Sequence, residues 1–210
     1  MIDFPGNTLV KRRLPKEAFY KHLPLSAALK SKFVSDVDCI ILENSLTRKN
    51  LNLAKDSEIK EIMLLSITLK KQNFDGKIVE AIARQNPHQL IFLLIYGDEF
   101  QLAVCQGRLY RTDWMKEKDL SLTLSGNTLD EIWDNLVRQT AISSKTVLSR
   151  ENQTIHEQLK MQDEINRLHM VIQKTEKAAW KEQQPKKRFE LYTKLQEYKK
   201  QLEEITHGEA

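Results

Sequence analysis

The sequence is poor in the residues that build phosphate-binding loops and disulfide frameworks. Only 6 of its 210 residues are glycine, and none are grouped before a predicted helix, so we expect no glycine-rich nucleotide-binding loop. Its two cysteines, Cys39 and Cys105, lie inside apolar runs without the spacing of metal ligands, a pattern typical of reduced core residues. We therefore expect neither a disulfide framework nor a zinc site.

Long apolar runs are also absent. No run approaches the roughly 20 residues that a transmembrane helix requires, and the first six residues lack the charged-then-apolar order of a signal peptide. We therefore predict no membrane insertion and a cytoplasmic location.

Residue sets for common reactions are not found at the spacing that those reactions need. The five histidines are scattered, and no serine or cysteine lies in a nucleophile-elbow motif. A restriction-type nuclease requires an acid on one strand and an acid-x-lysine pair on the next, whereas residues 68–70 supply the lysine without the acid. We predict no catalytic residue, no cofactor and no metal ligand. The alternative is a metal-dependent nuclease, which requires Asp38, Glu61 and Lys70 to share one cleft.

The first two thirds of the chain alternate short apolar runs with turn signals, which predicts a domain with both strands and helices. Five apolar runs are short enough to be strands, and they cover residues 37–43, 60–70, 89–96, 100–105 and 108–112. Helical patterns cover residues 16–22, 26–33 and 77–84, and a further helix starts at a capping box formed by Thr128 and Glu131. We predict an α+β domain over residues 1–144, with a mainly antiparallel sheet and flanking helices on one of its faces.

The last third has apolar residues at alternating four- and three-residue spacings, which is the pattern of a coiled-coil seam. One seam comprises Met161, Ile165, Leu168, Ile172, Thr175 and Ala179, and a second comprises Leu191, Leu195, Tyr198, Leu202 and Ile205. The second seam is displaced by two residues from the register of the first, which a simple stutter does not produce. Pro185 between them suits the first turn of a new helix. We predict a coiled-coil hairpin over residues 145–210, the arm, that turns near residues 181–186. A proline-kinked helix that dimerises is the alternative.

Two basic clusters stand out in a chain whose net charge is only +4. The first consists of Lys11, Arg12, Arg13 and Lys16, and the second consists of Lys186, Lys187 and Arg188 at the predicted turn of the arm. Both are candidates for contact with nucleic-acid phosphates, and the competing interpretation is that they keep a turn solvated. Because stacking aromatic residues are not grouped as in readers of single strands, any such contact is expected to be independent of sequence.

Aromatic residues near the predicted turn of the arm are candidates for binding a partner. Trp180 either anchors a partner or closes the turn by packing on Phe189. The complete set of predicted partner-binding residues is Trp180, Phe189, Leu191, Leu195, Tyr198 and Leu202.

Several short segments, spread over nearly the whole chain, carry a resemblance to a known family. They are RLPK at 13–16, FY at 19–20, ITLK at 67–70, LIFL at 90–93, LDEI at 129–132 and QQPKKRFEL at 183–191. With these segments the chain resembles the uncharacterised prokaryotic family called domain of unknown function 4391. Members of that family are encoded beside SNF-type helicases and DNA methyltransferases, so the resemblance implies a place in restriction-like or phage-defence systems.

The residues and the resemblance together predict a non-catalytic adaptor subunit of such a complex. The α+β domain is expected to dock one partner, and the arm is expected to engage a helicase, a DNA methyltransferase or a second copy of the chain. The alternatives are the metal-dependent nuclease and a protein that binds the DNA backbone without sequence preference.

Overall fold

The computed structural model describes residues 2, 4–17, 19, 25–142 and 153–207. The chain divides into two units, Met1–Ala141 and Ile142–Ala210. The predicted boundary at residues 144 and 145 lies outside the described residues and stays a prediction. The predicted helix over 16–22 also lies largely outside them, although the described residues Lys16, Glu17 and Phe19 are helical.

A seven-stranded sheet forms the centre of the first unit. Its strands are β1 (Leu9–Leu14), β2 (Val37–Thr47), β3 (Glu61–Leu69), β4 (Gln89–Tyr96), β5 (Glu99–Gln106), β6 (Arg108–Arg111) and β7 (Met115–Lys116). The first six lie side by side in chain order, and β7 pairs with β5. Only β3 and β4 run parallel, because a helix, α2 (Lys77–Gln85), connects them and returns the chain to the same end of the sheet. The predicted α+β fold with a mainly antiparallel sheet is confirmed.

One face of the sheet is covered by two helices, α1 (Ala27–Asp36) and α2. The Ser26 side chain caps α1 by accepting a hydrogen bond from the amide of Leu29. Phe33 of α1 and Ile78 of α2 are fully buried in one cluster with Ile67 and Phe92 of the sheet. The strand side of this core is completed by Val37, Ile40, Leu42, Leu65, Leu69, Leu90, Leu94 and Ala103.

The other face of the sheet is covered by α3 (Leu129–Ala141), which contacts β3, β5 and β6. Ile91, Leu102 and Val104 alternate along β4 and β5 with the core residues of the first face, and all three are buried. The prediction that the helices lie on one face is therefore wrong. Since β4 is apolar at nearly every position, it needs cover on both sides.

The Asp130 carboxylate joins the start of α3 to the segment before β3. It accepts hydrogen bonds from the amides of Glu58 at 3.0 Å and Ile59 at 2.9 Å. The first turn of α3 is thereby fixed to the sheet domain by charged hydrogen bonds as well as by apolar packing.

The arm consists of two helices that pack against each other, α4 (Ile155–Lys181) and α5 (Pro185–His207). A capping box of Thr154 and Glu157 begins α4. The predicted seam residues Ile165, Leu168, Ile172 and Ala179 of α4 and Leu195 of α5 are buried. The predicted helical hairpin is confirmed, and Pro185 begins a helix as expected. No helix among the described residues is both long and apolar enough to cross a membrane.

Candidate interaction site

The residues of the nuclease alternative do not come together. Glu61 pairs with Thr47 at one end of the β2–β3 ladder, whereas Asp38 and Lys70 lie at the other end, next to Leu69. Lys70 follows Glu61 by nine positions, which in extended chain corresponds to about 30 Å. In the described part of the chain, no three His, Cys, Asp or Glu side chains are placed to hold a metal ion.

The two cysteines also lack the surroundings of a reactive thiol. Cys39 and Cys105 are free and half-buried. Burial raises the pKa of the Cys105 thiol, which is opposite to the shift that a nucleophilic thiolate requires.

Several lysines lie where α1 meets the sheet, and each is bonded within the protein. Lys71 Nζ lies 2.7 Å from a carboxylate oxygen of Asp36, which is 1% exposed. Lys70 Nζ donates to the carbonyl of Val34 at 3.2 Å, and Lys16 Nζ donates to that of Val37 at 2.9 Å. Lys70 thus satisfies a carbonyl in the last turn of α1, and Lys16 satisfies the carbonyl of Val37, the residue that caps the helix. Lys16, a predicted phosphate contact, therefore has a structural role in this arrangement.

The carboxylate of Asp36 makes the stability of the folded protein depend on pH. Burial by itself raises the pKa of this carboxyl, but hydrogen bonds from Lys71 and Ser35 outweigh it, so the pKa lies below its usual value. Because the pKa is lower in the folded state than in the unfolded state, the ionised carboxylate stabilises the fold at pH values above the unfolded pKa of roughly 3.9. This contribution to the free energy of unfolding is lost as the pH falls through the folded pKa.

Lys71→Ala should leave the Asp36 carboxylate buried without its charged partner. We expect the free energy of unfolding to fall by about 1–3 kcal/mol at neutral pH, and the difference from wild type to narrow as the pH falls below about 4. Urea unfolding across this pH range measures both effects, and Lys30→Ala, an exposed change on α1, is the control. A loss that does not vary with pH would contradict the role given to the ion pair.

The basic residues of β1 lie on an edge strand of the sheet. Lys11, Arg12 and Arg13 are exposed, and β1 pairs with β2 alone. The register breaks between Leu9 and Arg12, where Lys11 has a φ of 48°, so the strand carries a β-bulge. Bulges and cations on an edge strand prevent pairing with other chains. These three residues can serve this protective role on the edge strand, and their contact with phosphate stays a prediction.

The tip of the arm exposes two large aromatic side chains. Trp180 near the end of α4 is 77% exposed, and Phe189 in the first turns of α5 is 73% exposed. Neither ring forms an aromatic contact within the described part of the chain. The alternative in which Trp180 closes the turn by packing on Phe189 is not observed, and the binding of a partner by Trp180 stays a prediction.

A third aromatic side chain lies on the same flank of the arm. Glu176 of α4 and Lys199 of α5 form an ion pair at 3.8 Å across the two helices, which marks one flank. Trp180 follows Glu176 by four residues, so it lies on that flank. Tyr192, which is 38% exposed, precedes Lys199 by two helical turns and follows Phe189 by three residues. Trp180, Phe189 and Tyr192 therefore form one surface, the aromatic flank.

The remaining predicted partner-binding residues belong to the interior of the arm. Leu195 is 3% exposed, and Leu191, Tyr198 and Leu202 are half-buried. Their burial comes from the packing of α5 on α4, so they support the aromatic flank rather than extend it. Tyr192 was not among the predicted site residues, although its three-residue spacing from Phe189 and its place outside the seam could have identified it.

The predicted basic residues of the arm lie beside this surface. Lys186, Lys187 and Arg188 form the first turn of α5 after Pro185, and all three are exposed. The tip of the arm thus combines exposed aromatic rings with uncompensated positive charge.

Comparison with known proteins places the chain in a family without assigning an activity. Neither a curated protein nor a solved structure matches the chain. A family model described as Domain of unknown function (DUF4391) matches residues 2–202. The match spans the sheet, α3 and most of the arm, and it confirms the resemblance found in the sequence. The chain therefore belongs to the family called domain of unknown function 4391.

Proposed function

We propose that the protein is a non-catalytic adaptor subunit that holds a protein partner with the aromatic flank of its arm. The observation that carries the proposal is the exposure of Trp180 and Phe189 at the tip of a helical hairpin. Tryptophan and tyrosine are enriched among the residues that supply most of the binding energy in protein interfaces. A folded chain that leaves two large rings uncovered gains from burying them against another surface.

The helical hairpin gives the aromatic flank a fixed geometry. The buried seam around Leu168, Ile172 and Leu195 joins the two helices, so the three aromatic residues are presented on neighbouring turns rather than on a loop. A preorganised surface loses less conformational entropy when a partner binds. This favours a positional role in which the arm holds a partner in place.

The class of partner comes from the family resemblance. We propose a DNA helicase or a DNA methyltransferase of a restriction-like or phage-defence system, acting in the cytoplasm. Because Asp38, Glu61 and Lys70 do not share a cleft, no observation favours the nuclease alternative, and we do not propose it.

The proposal is tested by capturing partners of the full chain from its native cell. Trp180→Ala combined with Phe189→Ala should remove a helicase or methyltransferase that the wild-type chain recovers, and with the purified partner it should weaken binding by at least about 30-fold. The matched control is Met170→Ala, because Met170 is 66% exposed on α4 but lies six residues before Glu176, on a different side of the helix.

Two results would contradict the proposal. One is recovery of no helicase or methyltransferase by the wild-type chain. The other is an equal loss of the recovered partner in the aromatic double variant and in Met170→Ala, which would show that the aromatic flank has no special part in binding.

A further inference from the structure

The tip of the arm has a second surface that the proposed adaptor role does not use. Five exposed basic side chains surround the turn, and we call them the tip cations: Lys177, Lys181, Lys186, Lys187 and Arg188. Within the described part of the arm, ion pairs are formed by Arg167, Lys199 and Lys200, and none of the tip cations takes part in one.

The positive charge of the whole protein is concentrated at this tip. Between Lys174 and Lys194 there are seven basic and three acidic residues, an excess equal to the chain's net charge of +4. Glu176 is already paired with Lys199, and the Glu182 carboxylate accepts a hydrogen bond from the amide of Gln184. The tip therefore presents a local positive potential.

The placement of three of these cations opposes the stability of the helix that carries them. The first turn of α5 contains Lys186, Lys187 and Arg188 and no acidic residue. The amino end of a helix carries a partial positive charge, so cations there are unfavourable and acids are preferred. A turn that only needed to be solvated could use side chains of either sign. An external anion bound at this turn would relieve the unfavourable interaction.

Part of the basic surface faces away from the aromatic flank. Lys181 follows Glu176 by five residues, which places it roughly 140° around α4 from the ion pair that marks the flank. Lys187 precedes Lys199 by twelve residues, which places it roughly 120° around α5 from the same ion pair. These two cations can therefore contact an anion while the aromatic flank holds its partner, whereas Arg188 precedes Tyr192 by four residues and lies on the flank itself. A membrane-binding tip would instead present its aromatic and basic residues in one interfacial plane.

We propose that the tip cations bind the phosphate backbone of duplex DNA without regard to its sequence. Closely grouped Lys and Arg side chains displace the counterions of DNA, and this release supplies the affinity. The inference goes beyond the adaptor role and does not need the protein partner. It replaces the β1 cluster with the arm tip as the site of backbone contact.

The test is a titration of the full chain, without partner, into fluorescein-labelled duplexes of about 30 base pairs in two unrelated sequences, followed by anisotropy. Five phosphate contacts predict a slope of about −4.5 for log affinity against log salt, or about 500-fold weaker binding at 200 mM than at 50 mM. Both duplexes should bind equally.

The variant that tests the tip is Lys186→Gln, Lys187→Gln and Arg188→Gln combined. Loss of three contacts should reduce the slope to about −1.8 and weaken binding at about 50 mM salt by at least about tenfold. Its melting temperature should equal or exceed that of wild type, because the removed charges oppose the helix dipole. The control is Lys55→Gln, Lys118→Gln and Lys160→Gln combined, three exposed lysines that do not belong to the tip cations, which should keep the wild-type slope.

Several results would overturn the inference: no duplex binding at low salt, equal loss in the control triple variant, or binding to phosphatidylserine vesicles as tight as to duplex. A preference for single-stranded DNA that is lost in Trp180→Ala with Phe189→Ala would also overturn it, because the tip would then be a stacking site. The adaptor role is judged separately, since Lys181→Gln combined with Lys187→Gln, two changes off the flank, should still capture the protein partner, and the aromatic variant should still bind duplex.

Discussion

Leu195→Asp should unfold the arm and leave the sheet domain folded. Leu195 is the seam residue of α5 that is buried, at 3% exposed, against a seam of α4 that includes the buried Leu168 and Ile172. The substitution removes apolar contacts and places a carboxylate without a partner in their midst, at a combined cost of about 4 kcal/mol or more. Isolated helices depend on such packing because their own propensity is marginal. One seam change is therefore enough to separate the two helices.

Far-UV circular dichroism measures this result directly. α4 and α5 contain 27 and 23 residues, whereas α1, α2 and α3 contain 10, 9 and 13. More than half of the helical signal should therefore disappear in Leu195→Asp. Capture of the partner and binding of duplex DNA should be lost with it, because both surfaces depend on the geometry of the tip.

Two matched variants separate burial from charge. Gln196→Asp adds the same charge at the neighbouring exposed position and should keep the helical signal. Leu202→Asp should have an intermediate effect, because Leu202 is half-buried. If Leu195→Asp retained wild-type helicity, or if Gln196→Asp lost as much, the assignment of the seam would be wrong.

The arm could be predicted from the sequence because its structure depends on local periodicity. Ile165, Leu168 and Ile172 repeat at helical spacing along one segment, and Pro185 interrupts the pattern at the start of the next helix. A two-helix hairpin buries mainly such a repeat, so the seam identifies Ile165, Leu168, Ile172 and Ala179 among the buried residues of α4 but misses Leu159 and Gln162.

The sheet was harder to predict from the sequence because strands that pair with each other can lie far apart in the chain. β1 has five exposed residues out of six, so it lacks the apolar alternation that identifies a strand, and only its pairing with β2 defines it. The parallel pairing of β3 with β4 depends on the path of the chain through α2. Neither feature leaves a signal within the strand's own residues.

The candidate interaction site at the tip of the arm could be predicted only in part from the sequence. Trp180, Phe189 and the basic run 186–188 stand out in the sequence because large rings and clustered cations are unusual beside a turn. Tyr192, Lys177 and Lys181 became part of the surfaces only when the Glu176–Lys199 ion pair fixed how the two helices are oriented about their axes. That orientation is a property of the folded pair.

Gly126 illustrates a further limit of the sequence, because nothing in its surroundings predicts its backbone conformation. Its φ of 140° lies in the region that side chains other than glycine rarely adopt. A Cβ atom at this position would lie 2.8 Å from Glu131 Cβ and 2.9 Å from the backbone nitrogen of Ile132. The chain passes close to the first turn of α3 here, and only glycine fits.

Gly126→Ala should destabilise the sheet domain by about 2–5 kcal/mol, the sum of backbone strain and overpacking. The neighbours cannot yield easily. The Glu131 carboxylate accepts a hydrogen bond from the amide of Asn127 at 2.7 Å, and the adjacent Asp130 holds the amides of Glu58 and Ile59. A shift of this turn would therefore disturb the attachment of α3 to the sheet.

Urea unfolding of Gly126→Ala and Gly6→Ala tests this argument. An added Cβ at Gly6 meets no atom within 4 Å, and its φ lies outside the left-handed region, so Gly6→Ala should stay within about 0.5 kcal/mol of wild type. A loss confined to Gly126→Ala, with an unchanged dependence on urea concentration, would place the cost in the folded state. Equal stability of the two variants would show that the turn before α3 relaxes freely, and the close approach would then not explain the glycine.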